Sequence, residues 1–203
     1  MISAIIRKNL TLLFLSVSCF ASAQVSFRTG EMILQTDAQG MIGSLKNTRT
    51  GQEYLYSDTL HPLLTLLSGN KRFVPASAAW KAASHTLSLN YPEPQVKIDV
   101  RIVEKNNYLQ LTVSKAEPAV KVDAVIWGPF PTTVRDTVGE VIGVVRDQQM
   151  ALGMFVLNVK TMGGDLPNNE GSSWSRGIAA KTQSWGSTLQ AYSINRSKPR
   201  SVD

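Results

Sequence analysis

Between residues 95 and 115 the chain alternates apolar and polar side chains strictly enough to dictate a structure. Val96, Ile98, Val100 and Ile102 are separated by Lys97, Asp99 and Arg101, and Leu109, Leu111 and Val113 are separated by Gln110 and Thr112. A period of two is that of a β-strand, so the four β-branched residues share one face and the charges the other. Lys105, Asn106 and Asn107 lie between the two runs, and their tolerance of positive φ predicts the bend of a hairpin. A hairpin with one apolar face needs a second layer to cover it, which points to a sandwich.

The remaining chain supplies further strands. Short apolar runs at 25–36 and 41–45 are separated by the turn Asp37-Ala38-Gln39-Gly40, and the turn at 47–51 leads into Glu53-Tyr54-Leu55-Tyr56. Pro62 marks a strand start or an edge before residues 63–67, and Gly69-Asn70 turns the chain into 71–74. Residues 76–83 are too short to hold a helix by propensity alone, so Trp80 is expected on a strand. Alternation returns over 84–90 with His85, Leu87 and Leu89 on one parity, and Tyr91-Pro92-Glu93-Pro94 interrupts it.

A strand over 120–127 is expected to end at Gly128-Pro129-Phe130-Pro131, because proline donates no ladder hydrogen bond. The runs 138–145 and 150–157 are apolar on both parities, which predicts a hairpin covered on both faces. Two more strands, at 178–181 and 189–194, follow a polar loop at 161–177. The pattern shows no amphipathic helix of three turns and no fixed repeat. The expected fold is all-β, an antiparallel β-sandwich of about a dozen strands with little helix.

Residues 1–23 have the form of a signal peptide, with Arg7 and Lys8 before an apolar stretch over 10–20 and Ala21-Ser22-Ala23 as the cleavage site. The stretch is shorter than the roughly 20 residues that span a bilayer, so no transmembrane anchor is expected. Export to the periplasm or the exterior follows, with Gln24 as the mature N-terminus. Cys19 offers an outer-membrane lipoprotein as the minor alternative, although Ser16-Val17-Ser18 before it lacks the leucine usual in that motif. The single cysteine lies in this leader, so the mature chain has neither disulfide nor thiol nucleophile. The β-sandwich domain is assigned to 24–194 and a linker or C-terminal tail to 195–203.

Removing Arg7 and Lys8 from the 21 basic residues leaves 19 against 15 acidic, a net charge of +4. Those charges are scattered, without the clustering or aromatic interleaving of a nucleic-acid surface, so nucleic acid is excluded as a partner. The loop at 161–177 has the residue mixture a sugar needs. Trp174 offers a flat apolar face for the C–H face of a pyranose, and Asp165, Asn168, Asn169, Glu170 and Arg176 offer hydrogen bonds to its hydroxyls. Trp185 is a secondary stacking candidate. The same carboxylates and amides lack the spacing of a calcium loop, so no metal or cofactor is expected.

Asp136, Glu140, Asp165 and Glu170 are the carboxylates from which a glycosidase pair would be drawn, but sequence does not give their separation. Glu140 shares the parity of Val138, Ile142 and Val144, which calls for an ion-pair partner such as Arg135 or Arg146. His61 lies at a turn, and His85 shares the apolar parity of Leu87 and Leu89, as a core imidazole would. Trp127 reads as a core or corner residue. No Gly-x-Ser-x-Gly occurs.

The pattern Met32-Ile33-Leu34, Asp37-Ala38-Gln39-Gly40, Leu45-Lys46-Asn47, Thr50-Gly51-Gln52-Glu53-Tyr54 and Pro62-Leu63-Leu64 resembles the start of the galactose-mutarotase-like supersandwich that stands at the front of many bacterial glycoside hydrolases. The run Trp127-Gly128-Pro129-Phe130-Pro131-Thr132-Thr133, with Val138 to Arg146, Leu157-Asn158 and Gly163-Gly164, is similar to N-terminal regions of exported polysaccharide-degrading proteins of Gram-negative bacteria. In such proteins the catalytic acids usually lie on a barrel after the sandwich. The resemblance therefore implies an accessory module that touches polysaccharide or oligosaccharide and packs against a following catalytic domain or partner subunit. It lends no catalytic residues, since the histidine pair and glutamate of mutarotases have no match. Two alternatives remain open: an interaction module that binds no sugar, and a small mutarotase- or hydrolase-like enzyme.

Overall fold

The computed structural model describes residues 24–56, 61–134, 136–138, 143–158, 160–163 and 187–194. The expected signal peptide at 1–23, Glu140, the expected strand at 178–181 and the expected tail at 195–203 lie outside these residues. Within them the chain is all-β, with antiparallel sheets and two one-turn 3-10 helices.

A first sheet has the order β1-β2-β3-β4, from Val25–Thr29, Met32–Thr36, Met41–Asn47 and His61–Pro62. The run read as continuous over 25–36 is a hairpin, because Gly30 turns at φ 55. Leu63 alone separates β4 from β5 (Leu64–Ser68), and across it the chain passes from one sheet to the next. Its N–H donates to Gly40 O at 3.0 Å and its carbonyl accepts from Gly128 N at 3.5 Å. In the second sheet β5 stands between β6 (Lys71–Phe73) and β11 (Ala124–Thr132), followed by β16 (Ser187–Ile194) and β15 (Thr161–Gly163). Thr161–Gly163 is thus strand rather than the start of the expected loop.

The opposite layer holds β7 (Ser77–Lys81), β8 (Thr86–Tyr91), β9 (Val96–Glu104) and β10 (Leu109–Glu117), in the order β10-β9-β8-β7. On β9 the expected face is sealed: Val96, Ile98, Val100 and Ile102 are buried, and Lys97 and Arg101 are exposed. These side chains meet Leu64 and Leu66 of β5, Val125 and Trp127 of β11, and Phe27 of β1 in one core. The Tyr91 hydroxyl crosses between layers and donates to Leu64 O at 2.8 Å.

Several expectations are corrected. The bend of the central hairpin closes with Lys105 N donating to Tyr108 O at 3.0 Å, and positive φ occurs instead at Gln95, before β9. Residues 119–121 form a one-turn 3-10 helix that leaves Val120 72% exposed, so β11 starts at Ala124. At its other end β11 runs through both prolines. Its pairing with β16 skips between Trp127 and Phe130 and resumes at Phe130↔Leu189, Pro131↔Thr188 and Thr132↔Ser187. The Pro131 carbonyl accepts from Tyr56 N at 3.1 Å, away from β16. An antiparallel residue directs its N–H and C=O to the same side, so the donor that Pro131 lacks is not one the β16 ladder needs. Glu53 to Tyr56 forms no strand of its own and instead makes the bridges Lys46↔Glu53 and Leu55↔Thr132.

A three-stranded sheet, β12 (Thr137–Val138), β13 (Gly143–Arg146) and β14 (Ala151–Met154), covers a second core. Val145 is buried there with Tyr54, Val134 and Leu189, and Leu152 and Met154 pack against them. Among the described residues one face of this hairpin is covered and the other is open. Gly153, opposite Val144 on the other face, is exposed, and Phe155, Val156 and Leu157 beyond β14 are 70%, 42% and 64% exposed.

Candidate functional site

Four segments converge on an open cleft of about 400 Å³ beside the second core. The turn after β3 brings Gln52, the end of β11 brings Thr133, Asp136 precedes β12, and the β13–β14 turn brings Asp147, Gln148 and Gln149 around Tyr54.

Each segment is locally fixed. Asn47 Oδ1 accepts from Arg49 N at 2.9 Å and Thr50 N at 3.1 Å, an Asx turn, and Gly51 continues it at φ 74. Glu53 reaches under the turn, its carboxylate accepting from Ser44 Oγ at 2.5 Å, Leu45 N at 2.7 Å and Leu55 N at 3.0 Å. Tyr54 is then held by its N–H to Leu45 O at 2.8 Å and its carbonyl from Thr133 N at 2.9 Å. Across the cleft, Asp147 Oδ1 accepts from Gln149 N at 2.8 Å and Met150 N at 2.7 Å, which presents the two glutamines at the turn tip.

Burial, and then the negative charge of Asp147, push the Tyr54 phenol above the usual tyrosine range. Tyr54 therefore stays a hydrogen-bond donor at neutral pH. The lining combines that donor with two carboxylate acceptors, three amides and one hydroxyl. Such a set pairs with hydroxyl groups, each of which both donates and accepts. Among the described residues no group of three or more His, Cys, Asp or Glu side chains is placed to hold a metal ion.

A second groove, of about 570 Å³, opens between β1 and β7. Trp80 stands half-buried on β7, and Gln24, Ser26 and Asp37 supply polar groups on the facing side. The Trp80 ring meets Phe27 edge to face, centroids 5.0 Å apart at 75°, and His85 at 6.3 Å and 76°.

The predicted sugar-contact residues Trp174, Asp165, Asn168, Asn169, Glu170, Arg176 and Trp185 all lie outside the described residues. Of the four candidate carboxylates, Asp136 is described, and it shares the first cleft with Asp147 of the β13–β14 turn. Trp127 is buried in the core as expected. His61 is buried as well, its Nε2 2.7 Å from Tyr56 O. His85 departs from its parity: it takes a left-handed conformation at φ 50 after the 3-10 turn 82–84 and is exposed, so it is no core imidazole. No signal in the sequence joined Gln52 and Tyr54 to residues 147–149, because sheet pairing over a long separation assembles the cleft.

Among the described residues no helix is long and apolar enough to cross a membrane. Comparison with known protein families, with curated proteins and with solved structures finds no match for this chain.

Proposed function

We propose that this chain is an exported, non-catalytic β-sandwich module of a carbohydrate-degrading protein, and that it contacts glycan weakly in the cleft around Tyr54. The observation that carries the reading is the lining of that cleft: Gln52, Gln148 and Gln149 with Asp136, Asp147 and Thr133. Amide and carboxylate side chains on a rigid scaffold satisfy a polyol, and an open cleft suits a chain rather than an enclosed small molecule.

Affinity electrophoresis of the mature protein through gels holding plant and host polysaccharides tests it. At least one polysaccharide is expected to retard migration. Gln52→Ala with Gln149→Ala removes two hydrogen-bonding groups and is expected to weaken retardation about tenfold. Trp174→Ala in parallel measures the share of that tryptophan. A protein that no polysaccharide retards would end the glycan reading.

A second reading is favoured by one observation, the consecutive exposure of Phe155, Val156 and Leu157. An apolar tract of this kind marks a docking surface, here for the catalytic domain. On that reading the module is structural and the cleft is a solvated seam.

A further inference from the structure

We infer that the groove beside Trp80 is a second saccharide-binding surface, taking the apolar face of one pyranose unit against the indole. The inference rests on the glycan-contact reading and adds a separate site with a different chemistry.

Trp80 lies on β7, an edge strand, so nothing in its own sheet covers one side of it. The indole packs partly on the main core and is only half-buried. Phe27, itself 2% exposed, holds it edge to face at 5.0 Å, and His85 approaches from another side at 6.3 Å. The ring orientation is set before any ligand arrives, so little rotamer freedom is lost on binding. Val25, Ala78 and Ala79 extend the apolar bed beside it.

The facing wall is polar and ordered. Gln24 Nε2 donates to Gln35 Oε1 at 3.2 Å, and Gln35 Nε2 donates to Ser26 Oγ at 3.1 Å. This chain fixes the amides while leaving Gln24 a second amide proton and Ser26 its hydroxyl proton. Asp37 adds acceptor capacity, although its Oδ1 already takes Gln39 N and Met41 N. An indole platform faced by amide, hydroxyl and carboxylate groups matches a neutral ring that has an apolar face and a hydroxyl rim. The lining side chains include no lysine or arginine and one carboxylate, that of Asp37.

The test is a titration of the mature chain, starting at Gln24, with soluble gluco-, xylo-, manno- and galacto-oligosaccharides. Backbone amide and indole N–H resonances are followed by NMR, with the Trp80 indole signal assigned from its loss in Trp80→Phe. One oligosaccharide is expected to shift the Trp80 signal saturably. Trp80→Ala is expected to weaken that binding about tenfold, and Trp80→Phe, which keeps a ring against Phe27, by less. Gln52→Ala with Gln149→Ala is expected to leave the Trp80 shift in place, since those residues lie in the other cleft. If an oligosaccharide moves other signals while Trp80 stays still, and Trp80→Phe binds like the parent, the Trp80 surface is refuted and the glycan reading survives. If no oligosaccharide moves any signal, both fail. Should Trp80→Ala lose the fold, the resonance in the parent and the affinity of Trp80→Phe decide the matter.

Discussion

The Tyr91 phenol is buried between the layers, where its hydroxyl has Leu64 O as acceptor at 2.8 Å. Burial raises its pKa far above the ordinary tyrosine value of 10.0. In the unfolded chain it ionises near ~10, whereas in the folded chain it keeps its proton. The stability that follows is fully present below the unfolded value and is lost as pH rises above it, by about 1.4 kcal/mol per pH unit. Tyr54, raised by burial and by Asp147, acts in the same direction. Urea unfolding of Tyr91→Phe is expected to show a loss of about 1–2 kcal/mol at neutral pH, from the missing hydrogen bond, and a shallower decline under alkaline conditions. An unchanged alkaline slope would assign that decline to other groups. This role was not legible beforehand, since Tyr91 borders a Pro-rich break that interrupts the alternation. Trp80 was legible as a strand residue. The exposure of His85 was not, because parity cannot register the left-handed turn that precedes β8.

Between β9 and β10 the ladder runs in register from Leu109↔Glu104 to Val113↔Val100, then skips to Lys115↔Asp99 and Ala116↔Ile98. The extra residue is Ser114, whose hydroxyl donates to Asp99 O at 3.0 Å. A bulge moves the alternation by one, so Ala116 takes the inward parity and Lys115 the outward. Alternation therefore looked finished at Val113, although the strand continues to Glu117. The same physics hid the continuation of β11 through its prolines. Strands with unbroken alternation were readable, and bulged ones were readable up to the bulge. Turns carry their own demands. Gly40 turns at φ 83, and a Cβ there would stand 2.7 Å from Leu89 Cδ2, because the β2–β3 turn packs on the opposite sheet. Gly51 turns at φ 74 with nothing within 4 Å of the corresponding point. Gly51→Ala is expected to cost about 1 kcal/mol from backbone strain alone. Gly40→Ala adds overpacking and is expected to cost about 2–4 kcal/mol. Paired denaturant titrations measure both, and equal losses would mean that Leu89 yields without cost.

At the scale of the molecule, the layer opposite β7 to β10 is built from two sheets between which the chain passes at Leu63, and a third small sheet covers a second core that shares Leu45, Phe130 and Met154 with the main one. The all-β sandwich was legible because the runs at 84–90 and 95–113 have a period of two and the rest are short apolar runs cut by turn residues. The seam that forms the Tyr54 cleft was not, since it joins residues about a hundred positions apart through pairings that no local pattern encodes. The apolar character of 150–157 was legible, but not which of its residues the chain itself buries. Leu152 and Met154 face the second core, and the hydrophobicity continues past the strand end onto the surface at Phe155, Val156 and Leu157. Burial does not explain those three residues, and an exposed apolar tract favours association. In sedimentation velocity the mature chain is expected to show a coefficient that rises with concentration. Phe155→Glu with Leu157→Glu is expected to hold it constant while changing unfolding free energy by less than about 0.5 kcal/mol, as exposed positions allow. A parent chain that sediments as a monomer at every concentration would exclude self-association through this tract and leave docking to a different chain as its use. A double variant that unfolds readily would place the three side chains in the core instead.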